Sequence, residues 1–100
     1  MVIKTEQISE TSIKLSVSGC LDTATSPMLE KKLNQWGENI AELTLDFINL
    51  TYISSMGLRI LLKTQKAMKE QNRKLVIINM SDSIREIFEI TGFINLMQIE

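Results

Sequence analysis

The sequence predicts an α/β fold of order β-β-α-β-α-β-α-β, a mostly parallel sheet with helices packed mainly on one face. Three observations carry this prediction. From about residue 25 onward, strand-like runs alternate with 3.6-residue apolar patterns, which implies right-handed crossovers between parallel strands. The first two strand patterns follow one another directly, which adds an antiparallel pair at one edge. Several strands alternate apolar and polar residues instead of running solidly apolar, which favours helices on one face of the sheet over helices on both.

Taken in order, residues 2–7 and 12–17 are short alternating runs separated by Ser9, Glu10 and Thr11, a hairpin pattern. In the second run Ile13, Leu15 and Val17 face one way and Lys14, Ser16 and Ser18 the other. Residues 19–25 then read as a loop carrying Asp22. The first helix begins near Thr25 or Ser26, with Pro27 in the first turn, where its missing N–H is harmless. Leu29, Leu33 and Trp36 form its buried stripe and Gly37 ends it. Leu43, Leu45 and Phe47 alternate with Thr44 and Asp46 as a half-buried strand.

The longest helical pattern runs from about Ser55 to Gln71, with Leu58, Leu61, Leu62, Gln65 and Met68 on its inner face. At about 100° per residue, Met56, Ile60 and Lys63 point away from that face, so Met56 and Ile60 are expected to be exposed. Asn72, Arg73 and Lys74 turn the chain into a central apolar strand, Leu75 to Ile78. Ser81 and Asp82 offer caps for a third helix with Ile84, Ile87 and Phe88 inward, ended by Gly92. Leu96 to Ile99 would close the sheet as an edge strand.

Composition removes several function classes. One hundred residues read as one domain, 1–100, able to bury a core without disulfides or metals. A net charge of −1 gives no basic surface for nucleic acid and no polybasic segment for anionic membranes. Uninterrupted apolar runs stop at four residues, so direct membrane insertion is not expected. Met1 leads straight into a strand pattern without a signal-peptide signature, which reads as a cytoplasmic protein. Cys20 stands alone, excluding an internal disulfide and a cysteine metal cage, and is expected to be a small half-buried residue. With no histidine, neither Ser-His-Asp nor Cys-His catalysis is possible, and the commonest zinc ligand is missing. No catalytic residue, metal or cofactor is assigned. A small nucleotide-binding or hydrolytic protein would need a Gly-rich phosphate loop, a metal cluster or a base, and none is evident.

Candidate chemistry therefore concentrates in Thr51-Tyr52-Ile53-Ser54-Ser55-Met56-Gly57-Leu58, between a strand and the longest helix. Ser54 is a natural N-cap, its hydroxyl accepting a first-turn N–H. Ser55 then falls in the first turn, where unpaired N–H groups and the positive helix end favour an added phosphate. Taken alone, the stretch reads first as an ordinary capped helix start, since Ser-rich caps are common.

The assembled pieces resemble a STAS domain of the bacterial anti-sigma factor antagonist type. The resemblance rests on Ser18-Gly19-Cys20-Leu21-Asp22, on Leu45-Asp46-Phe47-Ile48-Asn49-Leu50 leading into Tyr52 to Leu58, and on Thr91-Gly92-Phe93. It covers nearly the whole chain and implies a STAS-type fold. It also implies that Ser55, two residues before Gly57, is the phosphoacceptor. A partner serine kinase that doubles as the anti-sigma factor would modify it, and a metal-dependent serine phosphatase would reverse the modification. The unphosphorylated form would bind the kinase. By the same resemblance the partner-facing residues are Asp22, Thr23, Thr25, Ser54, Met56, Gly57, Arg59, Ile60 and Lys63. The residue before the phosphoacceptor, commonly Asp in the family, is Ser54 here, and the extra C-terminal helix of many members is missing or very short. The alternative within the family is a STAS subunit of a membrane lipid ABC transporter, an assembly or regulatory partner of its ATPase.

Overall fold

The computed structural model describes residues 1–35 and 40–100. The expected Trp36 contribution to the first helix and the Gly37 stop lie outside the described residues. The elements run β1 (Val2–Gln7), β2 (Ser12–Leu21), α1 (Ser26–Leu33), β3 (Glu42–Asp46), β4 (Leu50–Ile53), α2 (Ser55–Glu70), β5 (Lys74–Ile78) and α3 (Asp82–Thr91), then a 3₁₀ turn (Phe93–Asn95) and β6 (Gln98–Ile99).

The sheet order is β1-β2-β3-β5-β6. β1 pairs antiparallel with β2, and every other pairing is parallel. This is the expected mostly parallel sheet with an antiparallel edge. Two expectations needed revision. β2 continues past Gly19 to Leu21, so the loop is shorter than the residue pattern implied. Residues 50–53, which the sequence pattern assigns to neither a strand nor a helix, form β4, which pairs with the last part of β2 after β3 has paired with the first part.

A turn makes this possible: Leu50 N–H donates to the Phe47 carbonyl at 3.0 Å, and Asp46 Oδ1 accepts the Ile48 N–H at 3.0 Å. Asn79 Nδ2 reaches the same oxygen at 3.1 Å, and Lys14 Nζ lies 3.4 Å from the other. Asp46 thus ties the β3–β4 turn to β2 and to the residue after β5.

Ile13, Leu15 and Val17 of β2, Leu43 and Leu45 of β3, and Leu75 and Ile77 of β5 form one core with the buried residues of all three helices. Their sequence neighbours Lys14, Ser16, Thr44, Asp46 and Val76 take the opposite sheet face by strand alternation. The helix ends follow the sequence chemistry. Ser81 caps α3 by accepting the Ile84 N–H at 3.3 Å, and Gly92 ends it with φ 80°, a left-handed conformation suited to glycine.

Candidate functional site

Two segments meet at the ends of the parallel strands β2 and β4. The first is the turn after β2. Asp22 Oδ1 accepts the N–H groups of Ala24 and Thr25, each at 3.0 Å. The Asp22 N–H donates to Thr25 Oγ1 at 2.9 Å, and the Thr25 hydroxyl lies 2.7 Å from the Cys20 carbonyl as its donor. Chiefly the Thr25 N–H, which outweighs the opposing desolvation with help from the Thr25 hydroxyl and the Ala24 N–H, holds the Asp22 carboxyl below the ordinary carboxylate value. Asp22 is therefore ionised at neutral pH. The Ser26 hydroxyl donates to the Asp22 carbonyl, so α1 starts locked to the same turn.

The second segment is the start of α2. The Ser54 N–H donates to the Leu21 carbonyl at 2.8 Å, joining the helix cap to the residue before Asp22. Ser54 Oγ accepts the Gly57 N–H at 3.4 Å, and the Ser54 carbonyl accepts the Leu58 N–H at 3.0 Å. Ser54 is thus the expected N-cap. Ser55 is the first helical residue and is exposed, and its hydroxyl has no hydrogen-bond partner among the described residues. The two serines therefore differ in chemistry: one hydroxyl is committed to the backbone, the other is free.

Of the remaining sequence-derived candidates, Thr23 and Arg59 are exposed, and Arg59 lies one turn beyond Ser55 on α2. Lys63 is also exposed, with Nζ 3.3 Å from Glu30 of α1. Met56 is half-buried and packs on the core instead of standing clear of it. Gly57 is buried and serves as a point of close approach to β2. Ile60 requires a correction: it is 5% exposed and belongs to the core, so it offers no partner surface. The single-face helical wheel failed because α2 packs on β5 and on α1 at once, which widens its buried arc. Cys20 is likewise corrected, being exposed on extended β2 with Sγ 3.8 Å from Thr51 Oγ1.

The residue missed by the sequence reading is Tyr52, the register partner of Cys20, which is 48% exposed two positions before the cap. It is among the exposed large apolar side chains, whereas Ile60, which the helical wheel had placed outside, is core. A cavity of about 250 Å³ between α1 and α2 is lined by residues such as Leu33, Ile40, Thr64 and Met68, and does not include the serine pair. No described helix is long and apolar enough to cross a membrane.

The family profile of the STAS domain matches residues 2–100. The chain belongs to the STAS domain family. This STAS domain is 30% identical over 91 residues to the anti-sigma-B factor antagonist of Bacillus subtilis (strain 168), covering 91% of this chain and 84% of that one. An anti-sigma factor antagonist from Mycobacterium paratuberculosis superposes with TM-score 0.85 at 21% identity, covering 98% of this chain and 83% of that one. The Bacillus cell fate determinant SpoIIAA, solved in its phosphorylated form, gives TM-score 0.78 at 16% identity, with 99% and 91% coverage. At these identities the structural likenesses speak for the fold.

Proposed function

We infer that this STAS domain is an anti-sigma factor antagonist, a phosphorylation-controlled partner switch without catalytic activity of its own. Unmodified, it binds a cognate anti-sigma factor that is also a serine kinase. Phosphorylated on Ser55, it releases that partner, and a metal-dependent serine phosphatase restores the binding form. The setting is the bacterial cytoplasm.

The observation that carries this reading is the exposed, unbonded Ser55 hydroxyl at the α2 N-terminus, joined through Ser54 to the Asp22 turn. The Bacillus subtilis relative, named for antagonism of an anti-sigma factor, supports it over the transporter-subunit alternative. A phosphate at Ser55 adds a charge of about −1.5 to −2 and three acceptor oxygens. The first-turn N–H groups and the helix dipole accommodate that charge, so the fold survives and the penalty falls on the interface. A hundredfold loss of affinity needs only about 2.7 kcal/mol.

The test is incubation with the cognate kinase and ATP, followed by site-resolved mass spectrometry on the unaltered chain, Ser54→Ala and Ser55→Ala. Label is expected to vanish only in Ser55→Ala. Label retained there and lost in Ser54→Ala would reverse the assignment. Ser55→Asp should keep a near-native melting temperature and bind the kinase poorly.

A further inference from the structure

β1 is an edge strand, paired with β2 and exposed along most of its length. Val2, Lys4 and Glu6 share a face with their β2 partners Ser18, Ser16 and Lys14, and Ile8, the residue after β1, keeps the register through its N–H bond to the Ser12 carbonyl. This is the sheet face that the core helices leave uncovered. Lys14, opposite Glu6, is engaged with Asp46 at 3.4 Å, and neither Lys4 nor Glu6 has an ion-pair partner among the described residues. Val2 and Ile8 are 55% and 58% exposed. The Ile8 N–H donates inward to the Ser12 carbonyl at 2.9 Å. By antiparallel alternation, the N–H and C=O groups of Ile3, Thr5 and Gln7 therefore point outward, away from β2.

We propose that this edge recognises itself: two copies of the chain pair β1 to β1, antiparallel, about a two-fold axis at Thr5. A lysine on an edge strand ordinarily deters foreign strands. Here the order apolar, cation, anion, apolar makes the same strand of a second copy the exception. A two-fold antiparallel ladder must be centred on a residue. Centring on Lys4 sets Lys4 against its own counterpart, and centring on Glu6 sets Glu6 against its own, both unfavourable. Centring on Thr5 sets each Lys4 opposite the other copy's Glu6 and each Val2 opposite the other copy's Ile8. On the helix-side face Thr5 then meets its counterpart, a favourable cross-strand pair. The outward backbone groups of Ile3, Thr5 and Gln7 find partners in the same register. The interface is isologous, as closed dimers require, and the two sheets become one.

Sedimentation velocity over a concentration series reads the dimer fraction of the full chain. Lys4→Glu and Glu6→Lys should each raise the dimer dissociation constant about tenfold or more, since each sets like charges face to face at both symmetric positions. The charge-swapped double variant, K4E with E6K, should recover the original association. Thr5→Pro removes the outward N–H at the axis without touching a bond to β2, and should abolish the dimer. Melting curves establish that each variant is folded; should a charge variant fail to fold, Thr5→Pro decides alone. An unaltered chain that stays monomeric at ~1 mM, folded single variants that associate undiminished, or a folded double variant that fails to recover each overturns the pairing.

Discussion

Gly57 stands directly against Leu21: a Cβ on Gly57 would lie 2.9 Å from Leu21 Cγ and 3.0 Å from Ile53 Cγ1. Both neighbours are buried, so neither can swing aside. The glycine therefore lets the first turn of α2 rest on the end of β2, close enough for the Ser54–Leu21 hydrogen bond. Gly57→Ala gains at most about 1 kcal/mol of helix propensity against about 1–3 kcal/mol of overpacking. A net loss of stability in urea denaturation is expected, with faster hydrogen exchange at the Ser54 N–H. An alanine variant as stable as the unaltered chain would show that the contact imposes no constraint.

Ile60 and Tyr52 should separate packing from binding. Ile60→Ala is expected to cost about 2–5 kcal/mol by opening a cavity in the core. Tyr52→Ala, on the exposed side of β4, should stay within about 0.5 kcal/mol of the unaltered chain and weaken binding of the anti-sigma partner, since aromatic anchors dominate such interfaces. Denaturation and calorimetric titration on the two variants check both halves. Undiminished binding by Tyr52→Ala would remove β4 from the interface.

Asp46 gives the fold a defined acid sensitivity. Burial pushes its carboxyl pKa up, but the Asn79 amide, the Ile48 N–H and Lys14 together outweigh that, and the net shift is downward. A folded-state pKa below the unfolded value of ~3.9 means that the unfolded chain binds the proton more readily. The stabilisation is thus fully present above the unfolded pKa and is lost as pH falls through the folded one. Asp46→Ala should cost about 1–3 kcal/mol at neutral pH, and the gap to the unaltered chain should close well below pH ~4. Urea denaturation across a pH series measures it. A gap that persists into strong acid would mean that the charge is not the cause.

Much of this was legible in the residues because local chemistry and tertiary position agree. Ser54 caps because a serine before an apolar helical pattern has few better uses, and Ser81 and Gly92 act by the same logic at α3. What escaped depends on neighbours. β4 is four residues long and exposes Thr51 and Tyr52 in succession, so it shows no two-residue alternation. Only its pairing with β2 makes it a strand. Ile60 was misplaced because a helical wheel cannot know that α1 lies alongside α2. The signal available for Tyr52 was composition alone, an aromatic residue beside the serine pair.

β2 is hydrogen-bonded to β1, β3 and β4, three of the five other strands among the described residues, and this bears on the order of events when the chain first folds. The β1–β2 hairpin closes through a short local loop, whereas β3 reaches β2 only after the α1 crossover, and entropy favours the shorter closure. β6, attached among the described strands to β5 alone, has nothing to join until β5 is in place. Substitutions on β2 such as Leu15→Ala should therefore slow folding, while Ile99→Ala should act chiefly by speeding unfolding. Stopped-flow rates for the pair would expose the opposite order if it holds. On a ribosome, the hairpin would emerge before β3 and wait, its inner edge open, for a strand not yet made.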